Sequence, residues 1–283
     1  MLETDQGGAG QRTNGFLRRL TAADIPSAIQ LSTAAGWNQT PEDWRMLTQI
    51  APETCFAIEC DGVVAATTTL VCYAGQMAWV GMVLTSANFQ RRGFATRLVE
   101  HALECAASLG IQSVKLDATE QGLPVYERFG FRVEQEIQRW SGAKPLPHPR
   151  SDGRSKPIAD LDLKLDQTAF GVDRSPLLRI LSRHAEPCLD AEGFLLWRSG
   201  TRAAYIGPFV ARNRETADRL LRPRFDTDDA IWFWDILSSN SDAVSLAAEF
   251  GFKPQRTLMR MVRGVDLRGN DALNYGIAGF ELG

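Results

Sequence analysis

The sequence predicts an α/β protein with a mixed sheet, mostly antiparallel but containing one parallel strand pair, and it predicts two related modules in tandem. Three observations support this prediction. Residues 56–60, 63–73 and 77–85 are typical of a meander of antiparallel strands, and Asp61-Gly62 is a hairpin turn signal. An amphipathic helix and a further strand follow, and such a crossover joins parallel strands. A similar order of elements then returns in the second half of the chain.

The N-terminal region adds a tail, a strand and two helices to this meander. Residues 1–15 are polar and rich in glycine, so we expect a disordered tail. Residues 16–20 alternate like a short strand. A helix with Ile25 and Ile29 on one face should follow, and Thr40 is the expected N-cap of a second helix.

The helix after the meander has the clearest pattern in the chain. Its apolar residues recur at helical spacing, at Ala95, Leu98, Val99, Ala102, Leu103, Ala106 and Leu109. Gly110 stands where a helix stop is expected. Residues 114–118 alternate as the next strand, residues 124–129 predict a short helix, and residues 131–133 begin another strand.

A linker is predicted at residues 141–158, which are rich in proline, glycine, serine and basic residues. Such a composition cannot supply a packed core. We therefore predict a first module at residues 16–140 and a second at residues 159–283.

Two short sequence matches support the tandem arrangement. They are Phe56-x-x-x-x-x-Gly62 with Phe194-x-x-x-x-x-Gly200, and Phe-Gly-Phe at 129–131 with Phe-Gly-Phe at 250–252. The second copy is shorter between these matches, by about one strand with its turn.

Composition and charge exclude several classes of protein. Hydrophobic residues make up 44% and charged residues 23% of 283 residues, and a net charge of −3 argues against a nucleic-acid partner. The five cysteines form no metal-binding pattern, which favours reduced buried thiols over a zinc site. They are Cys55, Cys60, Cys72, Cys105 and Cys188. Without a signal pattern or a membrane-spanning apolar run, we expect a cytoplasmic protein.

Residues 90–95, Gln-Arg-Arg-Gly-Phe-Ala, open the helix that follows the meander. A small-residue loop there directs backbone N–H groups toward an anion, and Gly93 allows close approach because a β-carbon would intrude. Arg91 and Arg92 could contact a phosphate, or they could form a solvated basic loop. Tyr126 on the next helix could donate a proton to a bound group, or it could be an amphipathic core residue.

The loop and the Tyr-x-x-x-Gly-Phe at 126–131 resemble the GNAT superfamily of acetyl-CoA-dependent N-acetyltransferases, whose loop is written (Q/R)xxGx(G/A). The resemblance implies acetyl-CoA as co-substrate and no metal. It assigns cofactor contacts to Val83, Leu84, Thr85, Gln90, Arg91, Arg92, Gly93, Phe94, Ala95, Thr96 and Thr119. It also implies that the strand ending at Thr85 splays from its parallel neighbour, so that the pantetheine arm pairs with the strand's backbone. An amide near Val83 would then stabilise the oxyanion.

One departure from the family concerns the residues before the tyrosine. Many relatives carry asparagine seven residues and alanine four residues before it, where this chain has Thr119 and Gly122. The Thr119 hydroxyl can still hydrogen-bond the pantetheine arm.

The resemblance implies direct attack of a primary amine with Tyr126 as general acid. A phenol with a pKa near 10 is protonated at neutral pH and can donate to a thiolate whose conjugate acid has a pKa near 8.5. Residues 77–84 contain no acid that could serve as the base. Asp117 or Glu120 is the candidate base, with relay by water as the alternative. Each carboxylate could instead have a surface or capping role.

Trp37 and Trp44 lie in the early helical region, where relatives line the acceptor pocket. They could form an aromatic wall that binds an amine or an apolar side chain, or they could pack in the core. The acceptor is expected to be a small-molecule or peptide amine.

The second module lacks the features that predict chemistry in the first. Arg212-Asn213-Arg214 replaces the glycine loop, and Ala247 stands at the place of the tyrosine. This arrangement is similar to the YitH-like tandem group, which has a degenerate second GNAT-type half. It predicts one acetyl-CoA site per chain and a monomer or a dimer. The alternatives are a non-catalytic sensor of CoA or a metabolite, and a scaffold that keeps only the fold.

Overall fold

The computed structural model describes residues 15–142, 161–222 and 231–283. The predicted tail, apart from Gly15, and residues 143–158 of the predicted linker lie outside the described residues. Ser141 and Gly142 belong to a strand.

The first half of the chain follows the predicted order of elements closely. Its strands are β1 Phe16–Arg19, β2 Cys55–Cys60, β3 Val63–Tyr73, β4 Met77–Thr85, β5 Ser113–Ala118 and β6 Arg132–Gly142. Its helices are α1 Ile25–Ala34, α2 Pro41–Ile50, α3 Phe94–Ser108 and α4 Leu123–Arg128. Short 3₁₀ turns precede α1 and α3, at Ala22–Asp24 and Ala87–Phe89.

Helix α2 begins at Thr40 for the reason that the sequence indicates. The Thr40 hydroxyl accepts a hydrogen bond from the Asp43 amide at 3.2 Å, while the Asp43 carboxylate accepts one from the Thr40 amide at 2.7 Å. Pro41 at the first helical position has no N–H that would be left unpaired.

The second half repeats this order without a counterpart of β1. Its strands are β7 Glu186–Asp190, β8 Gly193–Arg198, β9 Ala204–Ala211, β10 Trp232–Leu237, β11 Lys253–Gly264 and β12 Asn274–Gly276. Its helices are α5 Leu163–Phe170, α6 Ser175–Leu181, α7 Arg214–Leu221 and α8 Ser241–Glu249. A 3₁₀ turn, Asp271–Leu273, precedes β12.

The parallel pairs show which strands of the two halves correspond. β4 pairs in parallel with β5, and β9 pairs in parallel with β10, so β8 corresponds to β3. Phe56 lies in β2 and Phe194 in β8, so the match between these two residues joins non-equivalent strands and is wrong as evidence of repetition. The Phe-Gly-Phe match is confirmed, because Gly130 and Gly251 follow α4 and α8 with φ of +81° and +79°.

The twelve described strands form one sheet in which the two halves exchange a strand. The order is β1-β2-β3-β4-β5-β11-β6-β10-β9-β8-β7, and β12 pairs with β9 outside this path. β11 lies antiparallel between β5 and β6, and β6 lies antiparallel between β11 and β10. Each half therefore places a long strand in the sheet of the other.

Two buried arginine–aspartate pairs join the exchanged strands at equivalent places. Arg260 of β11 donates two hydrogen bonds to Asp117 of β5, at 2.9 and 3.1 Å. Arg139 of β6 donates two to Asp235 of β10, at 2.7 and 2.6 Å. Because a bidentate pair has a narrow geometry, these contacts fix the strand register.

The largest apolar cluster is shared by the two halves. Trp44 and Trp79 from the first half are buried in it together with Phe170, Leu178 and Leu282 from the second. The interface between the halves is therefore a hydrophobic core.

Candidate active site

A cleft opens between β4 and β5 where their parallel pairing stops. The last pair joins Trp79 to Lys115. From Val80 on β4 and Leu116 on β5 onward, the strands line a cavity of about 240 Å³. This separation is the splay that the family resemblance implies.

A β-bulge at Met82 bends β4 beside this cleft. The register with β3 shifts between Thr67 and Thr69, and Met82 has a φ of +51°. Hydroxyl groups of β3 hold the bulge, since Thr67 donates to the Met82 carbonyl at 2.9 Å and Thr68 to the Gly81 carbonyl at 3.2 Å. Bulges beside active sites change the direction of backbone groups.

The three strand residues predicted to contact the cofactor lie in different surroundings. Val83 lines the cleft, whereas Leu84 is buried and Thr85 is half-buried at the end of β4.

The glycine loop lies on the surface at the N-terminus of α3. Gln90, Arg91, Arg92, Gly93 and Thr96 are exposed, Ala95 is half-buried and Phe94 is buried. Gly93 precedes the helix with a φ of +79°, and nothing lies within 4 Å of the place where its β-carbon would be. The first N–H groups of a helix have no intrahelical acceptor, so this turn can bind an anion in open space.

The two loop arginines differ in their contacts. Arg92 donates to the Asn88 carbonyl at 3.2 Å, and its guanidinium carbon lies 5.0 Å from the centroid of the Phe89 ring. Arg91 is exposed and has a φ of +61°. Both arginines add positive charge to the loop.

Tyr126 and Thr119 line the cleft from the side of α4. The Tyr126 ring packs edge-on against Phe131, with ring centroids 6.0 Å apart. Burial raises the pKa of Tyr126 to about 12, so its hydroxyl is protonated at neutral pH. A β-carbon at Gly122 would lie 3.2 Å from this ring, so the glycine leaves the ring room that an alanine would reduce.

Asp117, the predicted candidate base, is paired with a buried arginine. Its side chain is fully buried, and both carboxylate oxygens accept hydrogen bonds from Arg260. Asp117 also lines the cleft, and burial raises the pKa of its carboxyl group although Arg260 opposes this shift. Because protonation would weaken the two hydrogen bonds that Arg260 donates, we assign Asp117 to the strand-joining pair rather than to proton transfer. Glu120, the other candidate, is exposed and is not among the residues that line the cleft.

The two tryptophans predicted to line the acceptor site lie in different surroundings. Trp37 is half-buried and lines the cleft. Trp44 is fully buried in the core, where its indole N–H donates to the Ser32 hydroxyl at 3.3 Å. The assignment of Trp44 to the acceptor site is therefore wrong, and the alternative of core packing describes this residue.

Sequence reasoning missed a second carboxylate that lines the cleft, Glu281 of the second half. Gln39 donates to this carboxylate at 3.1 Å, and a guanidinium nitrogen of Arg198 lies 3.9 Å from it. Burial raises the pKa of Glu281 to about 7, although Arg198 opposes this shift. Gly81 allows the close approach, because a β-carbon there would lie 2.9 Å from Glu281 Cα.

The C-terminal segment reaches this position by anchoring itself on the first half. The Tyr73 hydroxyl donates to the Leu282 carbonyl at 2.7 Å, and the Trp79 indole donates to the Phe280 carbonyl at 2.9 Å. Both donors lie about 200 residues upstream, so no local pattern of the sequence could have indicated that Glu281 enters the cleft.

The second half also holds the loop between α1 and α2 that forms one wall of the cleft. The Asn38 side chain accepts from the amides of Arg202 and Ala203 at 2.9 and 3.0 Å and donates to the Ala203 carbonyl at 2.9 Å. Arg198 donates to Asp43 on α2 at 3.2 Å.

The corresponding slot of the second half is filled by the chain itself. β9 and β10 pair at three positions, ending at Ile206 with Trp234. β12 then pairs with β9, while the Trp234 indole donates to the Tyr275 carbonyl at 2.7 Å and the Ile277 amide donates to the Asp235 carbonyl at 3.1 Å.

Residues 15–142, 161–222 and 231–283 contain no group of three or more His, Cys, Asp or Glu side chains that could hold a metal ion. Among the helices in these ranges, none is long and apolar enough to cross a membrane.

Two family models match the two halves of the chain. The model described as "Acetyltransferase (GNAT) family" matches residues 25–131, and that described as "Acetyltransferase (GNAT) domain" matches residues 163–276. The chain therefore carries two GNAT domains in tandem and belongs to the GNAT superfamily of acetyltransferases.

Individual relatives agree with this assignment. The chain is 26% identical over 160 residues to the uncharacterised N-acetyltransferase YitH of Bacillus subtilis (strain 168), a match that spans 52% of this chain and 56% of that relative. It is similar to the crystal structure of an acetyltransferase homologue from Pyrococcus horikoshii, with a TM-score of 0.81 and 24% identity over 99% of each chain. A tandem GNAT protein from the clavulanic acid biosynthesis pathway has a TM-score of 0.58 and 15% identity, over 89% of this chain and 98% of that one. These two structures show the same fold.

Proposed function

We propose that this protein is an N-acetyltransferase that transfers the acetyl group of acetyl-CoA to a primary amine of a small molecule or peptide. One observation carries the proposal: the unpaired part of β4, Thr119 and Tyr126 line one cleft, which begins where β4 and β5 separate. A slot between splayed strands suits an extended arm that hydrogen-bonds a strand edge.

The glycine loop fits the phosphate end of acetyl-CoA. Gly93 leaves open space at the N-terminus of a 15-residue helix, where backbone N–H groups and the helix dipole favour a pyrophosphate. Arg91 and Arg92 add positive charge beside it.

Acetyl-CoA would supply the acetyl group as a thioester, and residues of the cleft would handle charge and protons. A backbone amide near Val83, beside the bulge at Met82, would stabilise negative charge on the carbonyl oxygen. The Tyr126 hydroxyl, held protonated by its raised pKa, would donate to the departing sulfur.

Glu281 would accept the proton from the attacking amine, in place of Asp117. It lines the same cleft as Tyr126, and its pKa near 7 suits a group that must both gain and lose a proton at neutral pH. Trp37 would form part of the acceptor wall.

The test measures release of CoA from acetyl-CoA with a broad panel of amines, for wild type and Tyr126→Phe. General acid catalysis contributes about 10²–10⁴-fold, so we expect Tyr126→Phe to lose at least about 100-fold in kcat while its Kd for acetyl-CoA stays unchanged.

The control is Tyr275→Phe, which removes a hydroxyl whose pKa is also raised to about 12 but lies in the filled slot of the second half. It should turn over like wild type. If Tyr126→Phe also turns over like wild type on the best substrate, the assignment of Tyr126 as general acid is wrong. Tight binding of acetyl-CoA with no turnover on any amine would favour the alternative of a non-catalytic sensor.

A further inference from the structure

Arg256 of β11 lines the cleft without an anionic partner among the described residues. Its Nε atom is buried and has no hydrogen-bond acceptor there. The guanidinium carbon lies 5.1 Å from the centroid of the Phe280 ring, which gives the side chain a fixed support. A register shift in the pairing of β11 with β6, between Pro254 and Arg256, occurs beside it.

The surrounding charges leave Arg256 without compensation. The carboxylate of Asp235 favours the charged form of Arg256, but both oxygens of that carboxylate already accept hydrogen bonds from Arg139. Burial and the neighbouring Arg139 lower the pKa of Arg256 to about 10, so it stays charged at neutral pH. A half-buried cation without a counter-ion is unfavourable, and such residues are typical of sites that bind an anion.

The same cleft contains Glu281, which suits an ammonium or amine group. A cation and a carboxylate in one cavity of about 240 Å³ are complementary to a small molecule that carries both opposite charges. A single planar guanidinium matches a carboxylate through two parallel hydrogen bonds.

We propose that the acetyl acceptor is an amine that also carries a carboxylate, such as a free amino acid, and that Arg256 binds this carboxylate while the amine faces Glu281. This inference rests on the proposed function and narrows its substrate class. The second half of the chain then supplies substrate recognition to a cleft whose cofactor side belongs to the first half.

Matched acceptors test the inference. Each amino acid in a panel is compared with its carboxamide and with the amine that lacks the carboxyl group, for example leucine, leucinamide and isopentylamine. We expect wild type to favour the best amino acid by about 100-fold in kcat/KM over the two analogues without a carboxylate, because each analogue loses the charge-assisted pair with Arg256.

Arg256→Gln should reduce this preference to within a few-fold, because KM should rise much more for the amino acid than for the amine that lacks the carboxyl group. Arg256→Lys should keep part of the preference, since it retains the charge but not the two-pronged geometry. The control is Arg263→Gln, an exposed arginine near the other end of the same strand, which should keep the full preference.

Two readouts separate failure of this inference from failure of the proposed function. If the analogues without a carboxylate are acetylated as fast as the amino acids, or if aminoalkyl phosphates are preferred, the carboxylate site is wrong while acetyl transfer stands. Both proposals fail if no amine is acetylated and calorimetry in the presence of CoA gives either of two results. Wild type binds no amino acid, or it binds one that Arg256→Gln binds equally well. An amino acid preference that survives in Arg256→Gln also overturns the inference.

Discussion

The two halves of the molecule contain the same parallel strand pair, but only one of the two slots beside it is open. In the first half, pairing of β4 with β5 ends at Trp79 and a cleft follows. In the second half, pairing of β9 with β10 ends at Trp234, and β12 then pairs with β9 at Phe209 and Val210. Buried backbone groups need hydrogen-bond partners, and in the second half the chain itself provides them. Of the two slots, the open one is therefore the one that leaves room for a ligand.

The filled slot also contributes to the open one. The segment that passes through it continues from Tyr275 to Glu281, whose carboxylate lines the cleft of the first half. Among the described residues the second domain thus fills its own slot, while it lines part of the cleft in the first half.

The two halves also differ at the N-terminus of the helix that follows the parallel pair's first strand, α3 in the first half and α7 in the second. Gly93 precedes α3 without a side chain that could cap the helix. Asn213 precedes α7, and its side-chain oxygen accepts a hydrogen bond from the Thr216 amide at 2.9 Å. The second helix satisfies an N-terminal amide internally, whereas the first leaves its amides for an anion.

The largest effect is expected from Gly93→Glu, which closes the anion cradle. The new side chain enters the open space at the helix start and brings a negative charge to a site for pyrophosphate. Losing two charge-assisted hydrogen bonds, at roughly 1.5–3 kcal/mol each, predicts binding of acetyl-CoA weaker by about 10²- to 10⁴-fold, measured by calorimetry.

Gly110→Glu is the matched control at the other end of α3. Its φ of +71° and its open surroundings resemble those of Gly93, so both variants should lose about 1 kcal/mol of stability from backbone strain. Equal acetyl-CoA affinity in the two variants would contradict the assignment of the loop.

The next largest effect is expected when either of the two strand-joining arginine–aspartate pairs is broken. Comparing the two losses tests whether the pairs are equivalent. Asp117→Asn and Asp235→Asn each leave a buried arginine without its counter-ion, so each should lower the free energy of unfolding by about 3–5 kcal/mol in denaturant titration. Comparable losses would support the symmetry of the exchange. If Asp117→Asn instead keeps wild-type stability but loses turnover, Asp117 is catalytic and our assignment is wrong.

Local patterns predicted most of the elements but not how the halves combine. Three of these patterns depend only on neighbours within a few residues. They are the capping at Thr40, the apolar period of α3 and the Gly-Phe that follows α4 and α8. The exchange of β6 and β11 depends on pairing between residues about 90 or more positions apart in the sequence, such as Arg139 with Asp235 and Arg260 with Asp117. The periodicity of one strand does not indicate which distant strand it pairs with.

The residues of the candidate site also fall into two groups, those indicated by local motifs and those that only the tertiary fold brings to the cleft. Gly93, Tyr126 and Thr119 belong to local motifs, and the structure brings Thr119 and Tyr126 into one cleft. Trp44 was misassigned because an aromatic residue on an amphipathic helix can face either the core or a pocket. Glu281 and Arg256 could not be found, because only the tertiary fold carries them to the cleft of the other half.

A smaller effect on activity is expected from Glu281→Gln, which removes the proposed base but keeps its shape. We expect kcat to fall by about 100-fold. With the pKa of Glu281 near 7, wild-type kcat/KM should fall as the pH drops below about 7, and this limb should be absent in the variant. A variant that keeps the wild-type pH profile would contradict the assignment.

Stability should change in the opposite direction to activity in Glu281→Gln. The pKa of Glu281 rises from 4.5 to about 7 on folding, so the unfolded chain loses its proton first as the pH increases. The carboxylate therefore destabilises the fold above pH 7, by up to about 3 kcal/mol, and has no such effect below pH 4. The variant should unfold at a higher temperature than wild type at pH 8, with the difference vanishing at pH 4.

The smallest effect concerns the contact through which the second half holds the acceptor side. Asn38→Ala removes three hydrogen bonds to Arg202 and Ala203 and should cost about 2–3 kcal/mol of stability. Because the loop between α1 and α2 forms a wall of the cleft, KM for the acceptor should rise by about tenfold, since a loosened loop binds less tightly. Asn213→Ala is the control, as it removes a helix cap worth about 1 kcal/mol away from the cleft and should leave KM unchanged. If Asn38→Ala weakens acetyl-CoA binding as strongly as acceptor binding, the division of labour between the halves is wrong, because the second half would then support the cofactor side as well.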